Sequence, residues 1–351
     1  MNPTTRLTLS MWMLIAVAAM SGCSNPLEGT AGTLYVTNEI SGDLSVIDVA
    51  TERVVATIPL GKRPRGLRAS PDGSLAYVAL SGSPIAGPGV DETKLPPPDK
   101  RADGIGIVDL RARRLLKVLA AGSDPEQLDV SADGKLLFVA NEDTGQARAI
   151  DAASGEIVAT MKVGGEPEGV NISPDGTEVY VTSEQDSTVT VIDAVNPRVL
   201  LTIPVGPRPR STTFLRDGSR AFVPSENGGS IDVIDTSTHT LVVRVPLSGE
   251  LQRPMGGVAS RDGKFVYMTT GRGKTVAIID AALNRHVGSI EAGERPWGIA
   301  ISPDGKWLFT ANGPSHDVSI IDVERRVVKA RVKVGEGPWG ALFVPASGGS
   351  R

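Results

Sequence analysis

The 351-residue chain predicts an all-β fold, a seven-bladed β-propeller of four-stranded antiparallel blades, on three internal periodicities. A Pro-containing step recurs at Pro64, Pro125, Pro167, Pro209, Pro254, Pro296 and Pro338, with spacings of 61, 42, 42, 45, 42 and 42 residues. An Asp-Gly turn follows about eight residues after the step, at Asp72, Asp133, Asp175, Asp217, Asp262 and Asp304. An apolar-Asp pair ends at Asp48, Asp109, Asp151, Asp193, Asp235, Asp280 and Asp322. Seven steps against six Asp-Gly turns mean that the chain enters and leaves in mid-repeat.

The strands follow in order within one repeat. Residues 169–173 (GVNIS) form a short first strand, and Pro174-Asp175-Gly176 supplies a fixed φ followed by a residue free to take φ > 0. Residues 178–182 (EVYVT) alternate and are β-branched, residues 188–192 (TVTVI) give a third strand, and residues 199–205 (VLLTIPV) a fourth. No window between them keeps a 3.6-residue period. At the chain ends, residues 34–38, 44–47 and 54–59 supply strands two to four of a blade whose first strand is residues 340–344. The two ends therefore close one blade together and hide the sheet edges. The propeller spans residues 33–345, with 346–351 a tail.

Composition narrows the class. With 40% apolar residues and a net charge of −4, the chain can build a large core and lacks the basic face of a nucleic-acid binder. Forty glycines and 25 prolines make it rich in turns. A single cysteine, Cys23, excludes internal disulfides and thiolate-held metals, and three histidines leave little for a metal cluster.

The first segment reads as an address. Residues 7–20 are apolar behind Arg6, too short for a bilayer-spanning helix and right for the core of a secretory signal. Met20-Ser21-Gly22-Cys23 resembles a bacterial lipobox, with Met20 where Leu is usual. Residues 1–22 are then a signal peptide and 23–32 a tether lipidated on Cys23, in a periplasmic protein anchored to the outer membrane. The alternative is cleavage at a small-residue site to release a soluble secreted protein.

YVTN at residues 35–38, SVID at 45–48 and SPDG at 70–73 resemble the YVTN-repeat propellers over about residues 32–344. The steps RPRG (63–66), DPEQ (124–127), EPEG (166–169), RPRS (208–211), RPWG (295–298) and GPWG (337–340), with ANED (140–143), are similar to the propellers associated with PQQ-dependent alcohol catabolism. That resemblance implies a pathway context rather than a reaction. The PQQ dehydrogenases themselves resemble eight-bladed propellers with a tryptophan docking motif and a vicinal disulfide, and this chain has neither.

In a blade, the fourth-to-first and second-to-third connections share the face around the central channel. The Pro steps place Arg63, Arg65, Glu126, Glu166, Glu168, Arg208, Arg210, Arg253, Arg295, Trp297 and Trp339 there, and the other connections begin with Glu39, Glu142, Glu184 and Glu226. Guanidinium forks and indole planes suit a flat anion such as PQQ, or an acidic patch on a partner protein. Equally, these arginines and glutamates can pair with one another and orient the blades. The seven apolar-Asp residues read as turn caps, and no Asp-Gly turn matches a calcium loop.

Blade two carries 19 extra residues within 81–103, including Pro96-Pro97-Pro98, which hang over the charged rim as a docking flap or a tolerated insertion. No nucleophile–base constellation appears. The expectation is a non-catalytic, monomeric binding or accessory lipoprotein, without a resident cofactor unless PQQ or a divalent cation binds. One alternative is a lactonase-like hydrolase whose divalent metal sits on Glu39, Glu142, Glu184 or Glu226. Another is a haem-d1-type cofactor carrier, for which His316 (GPSHD) is the rim histidine, His239 and His286 falling on the opposite face.

Overall fold

The structure is a computed structural model that describes residues 30–85 and 92–346. Seven four-stranded antiparallel sheets form the ring. Blade 1 pairs Pro338–Pro345 with Gly32–Asn38, then Asp43–Asp48 and Arg53–Pro59. Blade 2 is Pro64–Ala69, Leu75–Leu80, Gly104–Asp109 and Arg114–Leu119; blade 3 is Pro125–Val130, Leu136–Asn141, Gln146–Asp151 and Ile157–Lys162. Blade 4 is Pro167–Ile172, Glu178–Ser183, Thr188–Asp193 and Arg198–Pro204, so the strands read from that repeat lie within a residue or two of the observed ones. Blades 5, 6 and 7 begin with Thr213–Phe214, Gly257–Ala259 and Pro296–Ile301.

The shared blade closes as the two chain ends predict. Leu34 faces Phe343 and Val36 faces Ala341 across the ladder between the N- and C-terminal strands. The first strand of blade 5 is cut to two residues, where Pro224 on its neighbour has no N–H to donate and only its carbonyl takes the Arg210 N–H.

Seven apolar clusters lie between neighbouring blades, one per interface. Between blades 7 and 1, for example, Phe309 and Val318 pack on Leu34 and Val36, and Phe309 stacks on Phe343 with centroids 5.6 Å apart. The second and third strands are buried on both faces, while the fourth strands are largely exposed.

Repeated polar residues fix the turns. Each apolar-Asp carboxylate accepts a backbone N–H from the turn that follows, from Thr51 to Asp48 at 2.8 Å through Arg325 to Asp322 at 2.8 Å. In SPDG, Ser70 donates to Asp72 and accepts the Leu75 N–H, and Asp72 accepts the Ser74 N–H. Those bonds hold the Asp72 carboxyl down at about 2. Among the described residues no helix is long and apolar enough to cross a membrane. Cys23, the signal segment and the tail beyond residue 346 lie outside the described residues.

Candidate functional site at the channel mouth

The repeated Pro step shapes the mouth of the channel. In blade 2, Pro64 pairs with Leu80 but the next pair is Leu67 with Val78, so Arg65 and Gly66 form a bulge. The same jump follows Pro125, Pro167 and Pro296. Residues directly after the proline are thereby turned toward the axis: Glu168, Arg210, Met255, Trp297 and Trp339 all line the central cavity. About 620 Å³ of empty space, part of it bulk solvent, lies at this mouth.

Two backbone features make this possible. The residue before the proline takes left-handed φ in six blades: Arg63 at 39°, Asp124 at 47°, Glu166 at 50°, Arg208 at 59°, Arg295 at 50° and Gly337 at 66°. For a residue with a Cβ that conformation costs roughly 1–2 kcal/mol, so it is held by its surroundings. The second feature is close approach between inner strands. A Cβ on Gly298 would lie 2.5 Å from the Trp339 carbonyl oxygen, and one on Gly340 2.8 Å from that of Arg65. Threonines of the second strands stitch across that contact. Thr37 Oγ1 donates to the Arg65 carbonyl at 2.8 Å and accepts the Gly340 N–H at 2.9 Å; Thr269 Oγ1 does the same between Trp297 and Gly256.

The two charged connections do share one face. The N–H groups of Glu39, Glu142, Glu184 and Glu226 donate to the carbonyls of Gly337, Asp124, Glu166 and Arg208, at 2.8–3.0 Å. A continuous ion network results. Arg63 reaches Glu39 at 3.1 Å; Arg65 reaches Glu39 at 3.6 Å, Glu168 at 3.7 Å, and Glu126. Arg210 reaches Glu168 at 3.4 Å, Glu226 at 2.6 Å, and Glu184, while Arg208 reaches Glu184 at 2.8 Å and Glu226 at 3.2 Å.

Arg65, Arg210, Glu126, Glu168, Glu184 and Glu226 are all buried. Burial pushes the Glu184 carboxyl up to about 8, against the pull of Arg210 and Arg208, and lifts Glu126 well above the usual carboxyl range.

The indole side of the mouth differs. Trp297 and Trp339 stack with centroids 5.7 Å apart; Arg65 lies 5.0 Å over Trp339, and Arg210 and Arg295 lie 5.1 and 5.0 Å over Trp297. Arg295 is half-buried, and among the described residues no carboxylate stands within ion-pair distance of it. Burial draws its pKa down; the more distant charges of Glu226 and Glu39 oppose that shift, and those of Arg210 and Arg272 reinforce it.

The remaining expected residues take other roles. Arg253 donates to the backbone carbonyls of Glu226 and Asn227, both at 3.2 Å, and Glu166 is exposed. His316 Nδ1 accepts the Gly337 N–H at 3.0 Å. His239, in the turn between the third and fourth strands of blade 5, meets Glu178 at 2.9 Å; His286 stands in the strand Arg285–Glu291 rather than in a turn, and accepts the Ser248 N–H. Asp124 was not singled out from the sequence; its position in the step DPEQ, where other blades carry Arg, Glu or Gly, is the feature that distinguishes it. The insertion is tied down at the blade 2 and 3 rim, by Lys62 to Asp99 at 3.0 Å, Lys100 to Asp143, and Arg63 to the Ser83 carbonyl at 3.0 Å.

Residues 221–334 match the family model of the cytochrome D1 heme domain. No curated protein matches the sequence. Among solved structures, a Desulfotomaculum acetoxidans protein of unknown function is similar with TM-score 0.74 and 18% identity, over 90% of this chain and 100% of that one. A Bacteroides fragilis protein described as a candidate 6-phosphogluconolactonase gives TM-score 0.72 and 19% identity, over 91% and 99%. The dihydro-heme d1 dehydrogenase NirN, solved in complex with DHE, gives TM-score 0.62 and 17% identity, over 88% and 74%. At these identities the likeness is one of fold.

Proposed function

We propose that the protein is a non-catalytic binding or accessory propeller that takes a planar, anionic ligand at the channel mouth. The observation that carries this is Arg295, a half-buried guanidinium with no carboxylate at ion-pair distance among the described residues, lying on Trp297, itself a lining residue of the cavity. A guanidinium partly withdrawn from water with no carboxylate paired to it is costly, and a ligand carboxylate would relieve that cost while its ring lay beside the indoles. By contrast, Arg63, Arg65, Arg208 and Arg210 are already shared among glutamates. Their work is chiefly to join blades.

PQQ, a planar polycarboxylate, is the first probe because the step motifs resemble those of PQQ-associated propellers. Titrating it should quench tryptophan fluorescence, and Arg295→Ala should weaken the binding about 10-fold or more, the worth of a charge-assisted pair. Binding that is absent, or indifferent to both Arg295→Ala and Trp297→Ala, would reject the reading. The address in residues 1–23 supports placing this activity in the bacterial envelope. A diacylglycerol mass on the N-terminal Cys23 of the mature chain would establish the anchor.

The match over residues 221–334 favours a haem-d1 carrier as a second reading. The residues do not fit that group well. Nδ1 of His316 accepts a backbone N–H, which leaves the ring proton on Nε2, the nitrogen an axial bond would need. A haem titration without a Soret shift is the expected result. For a lactonase-like metal, Glu39, Glu184 and Glu226 are held by arginines, and Glu142 alone of the four stands in a carboxylate cluster.

A further inference from the structure

We propose that Asp124, Glu126 and Glu142 form a site for a calcium-sized divalent cation on the blade 3 side of the mouth, assembled by the insertion of blade 2. One carboxylate oxygen from each residue lies within 4.8 Å of the other two. Ca²⁺ binds oxygen at 2.3–2.6 Å, so ligands on opposite sides of one ion stand up to about 5 Å apart; Mg²⁺, at 2.0–2.1 Å, would draw them to about 4 Å.

A second observation points to an ion. Glu126 is wholly buried and neither carboxylate oxygen makes a hydrogen bond. The Arg65 guanidinium is in ion-pair reach of Oε1, and Oε2 meets no donor. Buried polar oxygens of this kind are normally satisfied by a donor or a cation. Arg65 is itself divided among Glu39, Glu126 and Glu168, so it does not neutralise the trio.

The surrounding contacts hold the trio in place. The Asp124 N–H donates to the Asp103 carboxylate at 3.0 Å, and Ser81 Oγ donates to Asp124 Oδ1. Ser81 and Asp103 are the two ends of the insertion, so the extra residues reach back to fix a ligand. The Glu142 N–H in turn donates to the Asp124 carbonyl at 3.0 Å. Lys100 pairs with Asp143, lies 3.8 Å from the Asp103 carboxylate, and interacts electrostatically with Asp124. The site does not depend on the anionic-ligand reading, since Arg295 and Trp297 take no part in it.

The test is calorimetric titration of EDTA-treated, dialysed full-length protein with CaCl₂, alongside thermal unfolding with and without the ion. The expected result is one Ca²⁺ per chain, a raised melting temperature, and a smaller shift with MgCl₂. Glu142→Gln, at a half-exposed position, should weaken binding about 10-fold or more while the metal-free melting temperature stays near that of the parent. Asp124→Asn should do the same. No heat and no shift at millimolar Ca²⁺ with folded protein would overturn the site, as would binding unchanged in both variants.

Discussion

Arg210 and Arg295 are both step arginines over the same indole, yet their surroundings assign them opposite tasks. Arg210 is buried among Glu168, Glu184 and Glu226, so removing it leaves carboxylates without a counter-charge, at a cost of about 3–5 kcal/mol. Arg210→Met should therefore lower the melting temperature by many degrees, whereas Arg208→Ala, at a side chain 44% exposed, should lower it far less. Thermal unfolding of the two variants checks this. The sequence had suggested that both arginines face a ligand, and charge pattern alone could not say which guanidinium would find acids on neighbouring blades. Glu184 adds a pH dependence. Its carboxyl rises from an ordinary 4.5 to about 8 on folding, so the folded chain binds the extra proton between those values. The stability this contributes is full below pH 4.5 and is lost as pH rises through about 8. The melting temperature should fall from pH 6 to 9, and Glu184→Gln should flatten part of that slope; an unchanged slope would contradict the assignment.

The first strand and its bulge are the element on which the site depends. The glycine within the bulge is set by contact between neighbouring backbones, so Gly298→Ala should destabilise by roughly 1–3 kcal/mol, measured by denaturant unfolding. Gly263 sits in an Asp-Gly turn where a Cβ would meet nothing within 4 Å, but its φ of +69° makes alanine strained for a different reason. The four-strand grammar was legible because each strand carries its own local record: turn residues, β-branched alternation and a terminal Asp. The meaning of Thr37 in YVTN was not, since its partners, Arg65 and Gly340, lie 28 and 303 residues away. The same holds for Asp124, whose neighbours come from the far ends of an insertion. Local patterns report strands and turns; a mouth built from seven separated steps is visible only after closure.

At the scale of the ring, stability rests on completing blade 1. The strand Pro338–Pro345 covers the edge of Gly32–Asn38, and Phe343 packs on Phe309 of blade 7. A chain ending at residue 336 should expose that edge and associate or unfold, which size-exclusion chromatography and melting would show. Phe343→Ala, which keeps the ladder, should cost less than the deletion. The ring also separates the two kinds of work at its mouth: buried ion pairs join blades 1 to 5, while Arg295 of blade 7 lies on Trp297 outside that network. That division is tested most directly by measuring PQQ-induced tryptophan quenching and melting temperature together for Arg295→Met and Arg210→Met. The expected result is that Arg295→Met loses quenching with its melting temperature nearly kept, and that Arg210→Met loses many degrees. An Arg295 variant that binds like the parent, or one that melts as low as the Arg210 variant, would contradict it.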